Sequence, residues 1–161
     1  KNHQRYNFNG NLNTISTGMD FLKQWSITGK KYAVYWLFAF KKTVFSNVLF
    51  TVNLRCYEDV ALIPVLIASS NKVVTIDYVG YNYTCNNLNS LTNIRSLDAE
   101  RARALDFVEA YKYAIENFSK LSNVSKLDIA FFYADYAKRL RGKFESLPTT
   151  LKVELADKFQ L

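Results

Sequence analysis

Polar, loop-like stretches alternate along the chain with apolar runs, and the spacing within each run predicts its element. Residues 1–17 are polar and rich in asparagine, with no sustained periodicity, which predicts a connection. The first apolar set is Phe21, Leu22 and Trp25, which share one face if Asp20 to Ser26 is a short helix. The run Tyr32-Ala-Val-Tyr-Trp-Leu-Phe-Ala-Phe40, closed by Lys41 and Lys42, fits a buried strand and a buried short helix equally well. Asp59 suits the N-cap or first turn of a helix running to about Ser70. Pro64 falls inside that helix, where its ring removes a donor and crowds the preceding turn. Regular helix is therefore expected from near Leu62, or with a kink at Pro64. From Lys72 to Thr84, Val74, Ile76 and Tyr78 alternate with Val73, Thr75 and Asp77, predicting a strand that Gly80 allows to bend. Cys85 to Asn93 is an asparagine-dense loop.

From Ser96 the pattern becomes helical. Ser96 is placed to cap a helix whose first turn carries Asp98 and Glu100, with Leu105, Val108, Ile115 and Phe118 along its stripe. A second helix is expected from about Ser125, with Ala130, Tyr133, Ala137, Leu140 and Phe144 on one face, ending between Gly142 and Ser146. A third opens around Pro148 to Thr150 and carries Leu151, Leu155 and Phe159. The expected fold class is α/β (α+β for the segment taken alone). Residues 1–95 form a mixed part and residues 96–161 a helical C-terminal extension of three helices.

Composition narrows the function classes. At 161 residues and 49% apolar content, the chain can bury a core and is not a disordered tail. Aromatic residues make up 16%, which supplies a core of large rings and leaves some rings to line a carbohydrate groove. The net charge of +7 comes from the first part: residues 1–96 hold 10 Lys and Arg against 4 Asp and Glu, and residues 97–161 hold 11 against 10. The excess is scattered and forms no basic stripe, so no nucleic-acid partner is expected. Cys56 and Cys85 are too few for a disulfide framework and, like the single His3, have no metal-ligand spacing. No apolar run is long enough to cross a bilayer and no signal peptide is visible, so a cytoplasmic setting is expected.

The stretch from Trp36 to Leu91 carries an ordered series. Trp36 is followed by Phe40-Lys41-Lys42, then Phe50, then Tyr57-Glu58-Asp59-Val60. After an apolar helix come Ile76-Asp77, Tyr81-Asn82-Tyr83 and Asn89-Ser90-Leu91. This order resembles the second half of bacterial family-2 glycosyltransferases of the GT-A type, over roughly residues 17 to 93. The resemblance implies a partial GT-A sheet with flanking helices, forming the acceptor side of an enzyme of polysaccharide or cell-envelope glycan synthesis. That enzyme moves a sugar with inversion from a nucleotide-sugar donor to a hydroxyl of a glycan or lipid-linked acceptor. It implies Asp59 as the general base, worth a factor of about 10²–10⁴, and Glu58 as the residue that orients the site or binds acceptor hydroxyls. Trp36 and Tyr57 become acceptor contacts, with a core role for Trp36 equally open. A helix N-terminus lowers the basicity of a carboxylate, so burial or the Glu58 charge has to offset that effect.

A divalent cation, Mg or Mn, is expected in the full-length enzyme. The family holds it with an Asp-x-Asp signature in a first half that this chain lacks, and no Asp-x-Asp occurs here. Thr51 and Val52 also stand where a proline and an acid often follow the aromatic residue. Taken alone, the chain is expected to fold at least in part and not to catalyse.

The extension offers Phe131, Phe132, Tyr133 and Tyr136, then Lys138-Arg139-Leu140-Arg141-Gly142-Lys143. These residues suit a helix lying on a membrane surface, which would place the protein at the inner face of a membrane. They also suit a packed helix whose basic end complements its own dipole. The competing class of function is a non-catalytic interaction or regulatory domain, in which Glu58 and Asp59 only start a helix and the rings only build a core.

Overall fold

The computed structural model describes residues 14–27, 33–48, 53–76, 78, 81 and 96–160. Among them are five α-helices: α1 (Gly18–Ile27), α2 (Glu58–Ala68), α3 (Leu97–Phe118), α4 (Lys126–Glu145) and α5 (Thr149–Leu155). Two short strands, β1 (Ile15–Ser16) and β2 (Val73–Val74), pair antiparallel with Ile15 opposite Val74 and Ser16 opposite Val73. The described chain is thus mostly helical with one small antiparallel sheet.

The core is organised around α2. All residues from Ala61 to Ala68 are buried, and a helix that is apolar on every side has to be covered on every side. Phe21, Leu22 and Trp25 of α1 belong to the same core, as do Val108, Tyr111, Ala114 and Phe118 of α3 and Phe132, Tyr136 and Leu140 of α4. Residues on both sides of position 95 therefore build one core. Ala104, Leu147, Leu151 and Leu155 form a smaller cluster that seats α5.

The C-terminal end of α2 is closed by its neighbours. The Gly18 amide donates to the Ser70 carbonyl at 3.0 Å, and the Asn123 side chain donates to the Ala68 carbonyl at 2.8 Å. At Gly18 the two helices approach so closely that a Cβ would overlap the Ile67 carbonyl oxygen. The cap of α3 is the one expected, and α4 opens at the expected place on a cap of its own. Ser96 Oγ accepts the Ala99 amide at 3.2 Å, and Ser125 with Asp128 forms a reciprocal capping box.

The structure decides four expectations. α2 carries Asp59 in its first turn as expected, but it begins at Glu58, not near Leu62, and continues through Pro64. Burial of the whole apolar segment outweighs the one hydrogen bond that the proline cannot donate. The run from Tyr32 to Phe40 gives no buried strand or helix over residues 33–40. It holds a 3-10 turn, Tyr35–Leu37, none of whose residues is buried. The strand expected over Lys72 to Thr84 is limited, among the described residues, to Val73–Val74. Asp77, Gly80 and Thr84 lie outside those residues, as do Phe50, Tyr83, Cys85 and Asn89 to Leu91. Finally, α4 buries Phe132, Tyr136 and Leu140, whereas Ala130 and Tyr133 are exposed.

Candidate functional site

The site forms where the chain turns into α2. Tyr57 is the N-cap of that helix and adopts φ 68° and ψ 17°, the left-handed region. Among the described residues it is the only non-glycine with a positive φ. Its carbonyl accepts the Ala61 amide at 3.0 Å, the first bond of the helix. Its ring meets Phe107 of α3 edge to face, with centroids 4.9 Å apart.

Two residues on, Asp59 is half-buried, and its Oδ1 accepts the Val60 amide at 2.7 Å. Burial pushes its carboxyl up to about 6, with the charge of Glu58 adding and the amides of Val60 and Asp59 itself opposing. Burial thus outweighs the amides that favour the ionised form. The Tyr35 hydroxyl donates to the Glu58 carbonyl at 3.2 Å. Burial first, then the charges of Glu58 and Asp59, hold that phenol well above its ordinary range.

Asp59 lines a cavity of about 300 Å³. Leu22 and Trp25 of α1 form one side, together with Ala33 and Val34. Tyr57, Val60 and Pro64 form the side from which Asp59 enters, and Tyr111, Phe132, Tyr136 and Arg139 close it from α3 and α4. The aromatic wall is continuous. The ring centroids of Tyr111 and Tyr136 are 4.6 Å apart and those of Tyr136 and Phe132 6.1 Å apart. Arg139 Nε donates to Asp135 at 3.1 Å. The Tyr111 phenol is pushed up to about 12 by burial, with Arg139 drawing it down and Asp135 raising it.

A carboxyl at about 6 is mostly ionised at neutral pH, yet it holds a proton more tightly than a solvated aspartate. Set in an aromatic wall, it can accept a proton from a hydroxyl that enters the cavity.

Of the site residues expected from sequence, Tyr57 and Asp59 come together on the cavity. Glu58 adjoins them but is exposed and is not part of the lining. Trp36 lies elsewhere: it is 37% exposed and stacks on Tyr81 with centroids 5.4 Å apart. Lys41 and Lys42 are exposed at the start of the 3-10 turn Lys42–Asn47.

Sequence reasoning missed Tyr111, Tyr136 and Arg139 as parts of a site, and it gave Trp25 only a helix face. The signal for Tyr111 is the buried series Ala104, Val108, Tyr111, Ala114 and Phe118, spaced by three and four. Among the described residues, no group of three or more His, Cys, Asp or Glu is arranged to hold a metal ion, and no helix is long and apolar enough to cross a membrane. Comparison with protein-family models, curated proteins and solved structures returned no match.

Proposed function

We propose that this chain is the acceptor-side part of an inverting, family-2 glycosyltransferase of the GT-A type, with Asp59 as its general base. The observation that supports this reading most is the Asp59 carboxyl, raised to about 6 by burial at the edge of an aromatic cavity. It lies within the Tyr57-Glu58-Asp59-Val60 motif that carries the family resemblance.

In the proposed reaction an acceptor hydroxyl stands within hydrogen-bond reach of Asp59. As its oxygen forms the new bond to the anomeric carbon of the donor, its proton passes to the Asp59 carboxylate. The bond from the anomeric carbon to the diphosphate oxygen breaks, and the nucleoside diphosphate leaves with that electron pair. Attack opposite the leaving group inverts the anomeric centre. A base with a proton affinity near the working pH is mostly ionised and still takes the proton readily. Tyr57 contributes its ring to the acceptor, Glu58 binds acceptor hydroxyls from the solvent side, and Trp36 contacts a more distant part of the same acceptor.

The donor is a nucleotide-sugar, and the acceptor is a glycan or a lipid-linked glycan of polysaccharide or cell-envelope synthesis. A divalent cation, Mg or Mn, would neutralise the leaving diphosphate in the longer enzyme. Its ligands would be the family's Asp-x-Asp signature, which does not occur in this sequence.

Work at the cytoplasmic face of a membrane fits the two sides of α4. Phe132 and Tyr136 are turned into the core, while Leu127 is 80%, Phe131 38% and Tyr133 40% exposed. Lys126, Lys138 and Arg141 are exposed on the same helix, which suits peripheral contact with anionic lipid.

Saturation-transfer NMR with simple glycosides tests the reading. Binding that is weakened in Asp59→Asn or Tyr57→Ala is expected. No carbohydrate binding by this chain or by a longer version between pH 6 and 8 would overturn it. Glu58 and Asp59 would then be only the start of a helix in an interaction domain.

A further inference from the structure

The left-handed backbone at Tyr57 has to be held by something. An L-residue in that region costs roughly 1–2 kcal/mol and persists only where its surroundings impose it. The turn that leads into Tyr57 is gripped from α3, about 50 positions further along the chain. One oxygen of Asp106, Oδ2, accepts the Arg55 amide at 3.2 Å, the Cys56 amide at 3.2 Å and the Cys56 thiol at 3.5 Å. The next residue, Phe107, supplies the ring that meets Tyr57. Two adjacent residues of α3 thus hold three consecutive residues of the turn, one by charge-assisted hydrogen bonds and the other by ring contact.

We infer that Asp106 is a positioning residue which fixes the Arg55–Tyr57 turn and so sets where Asp59 meets the cavity. The Tyr57 carbonyl accepts the first bond of α2, so the direction of the turn is passed directly to Asp59 two residues later. A change in the turn would move the carboxylate relative to the Trp25, Tyr111 and Tyr136 side chains that line the cavity with it. The helical extension is then part of the site and not an appendage to it. This inference rests on the reading of Asp59 as the base, but its test uses no sugar and can fail separately.

A purely structural tie would weaken the whole fold when cut. A positioning residue changes the turn and Asp59 while the interior of α2 stays closed. The test compares wild type, Asp106→Ala and Asp106→Asn by amide hydrogen exchange, together with NMR titration of the Asp59 side-chain carboxyl. The Asn side-chain oxygen can accept the same bonds, so that variant should resemble wild type in both measurements. In Asp106→Ala, the Arg55 and Cys56 amides should exchange about tenfold faster or more, while Leu66 and Ile67 keep their protection. The Asp59 carboxyl should then titrate at a lower pH as water reaches it, and Tyr57 should lose its strong intraresidue Hα to amide contact.

Unchanged exchange at Arg55 and Cys56 in the Ala variant would overturn the inference. So would faster exchange there with the Asp59 titration unmoved, or a uniform loss of protection along α2. If the Ala variant does not fold, Asp106→Glu makes the same comparison, because it keeps the charge and moves the oxygen by one methylene. A turn and a titration that respond as expected in a protein that never binds carbohydrate would leave Asp106 in its role and remove only the transferase reading.

Discussion

A carboxylate held partly out of water should leave a pH signature in the stability of the fold, and Asp59 provides one that can be isolated. Its folded-state value of about 6 lies above the ordinary 3.8, so the folded protein binds the proton more tightly than the unfolded chain does. Its favourable contribution is therefore fully present below about pH 4 and is lost as the pH rises through 6. At about 1.36 kcal/mol per pH unit, a rise from 3.8 to about 6 corresponds to about 3 kcal/mol at full strength. Asp59 is only half-buried, and solvent screening reduces this to about 1–2 kcal/mol.

Asp59→Asn removes the titration but keeps an oxygen for the Val60 amide. The variant should match wild type near pH 4 and exceed it by about 1–2 kcal/mol at pH 7 to 8. Urea unfolding at a series of pH values, followed through the fluorescence of buried Trp25, measures the difference. Other titrating groups are common to both proteins and cancel. A difference that stays flat from pH 4 to 8, or a wild type that is the more stable at pH 8, would refute the reasoning.

Three further outcomes follow from the packing. Gly18→Ala forces a methyl group against the Ile67 carbonyl and should cost about 1–3 kcal/mol in thermal unfolding; a loss below about 0.5 kcal/mol, the usual limit for neutral surface changes, would contradict the close approach. Asp128 is drawn the other way: burial alone would raise its carboxyl, but Lys23 at 2.5 Å and the Ser125 hydroxyl and amide hold it at about 2. Its contribution is present above about pH 4 and lost as the pH falls through 2. Asp128→Asn should therefore cost about 1 kcal/mol at pH 7 and progressively less toward pH 2, as read from unfolding curves. Cosedimentation with anionic vesicles should fall about tenfold when Leu127 and Phe131 are both changed to Glu, and should weaken with salt. Equal binding by the double variant would sink the membrane contact.

What the sequence disclosed depended on how local the physics was. Helix starts were legible where local signals set them: Ser96 caps as its position predicts, α4 starts beside Ser125, and Pro148 precedes α5. The register of α4 was not. Ile129 to Tyr133 is apolar without a break, so periodicity could not choose a face, and the choice fell to the stack of Phe132 on Phe118 at 4.9 Å. The start of α2 was hidden for a related reason. Pro64 argues locally for a later start, while the burial that overrides it comes from helices distant in sequence.

At the site, Tyr57 and Asp59 were recognisable because they are neighbours within one motif. Tyr111, Tyr136 and Arg139 looked like ordinary helix residues until the fold brought them to the same cavity. Asp106, within a helix carrying several other charged residues, gave no sign that it accepts backbone amides from a distant turn.

The all-round burial of α2 also bears on how the chain survives its own synthesis. The helix leaves the ribosome before α3 and α4 exist to cover it, so Ala61 to Ala68 is a naked apolar rod in the nascent chain. No early docking onto α1 alone can close it, because Val108, Tyr111 and Phe118 arrive only later. The interval between the emergence of Ala68 and that of Leu140 is therefore when the protein is most exposed to aggregation and to chaperone capture, whatever its final stability.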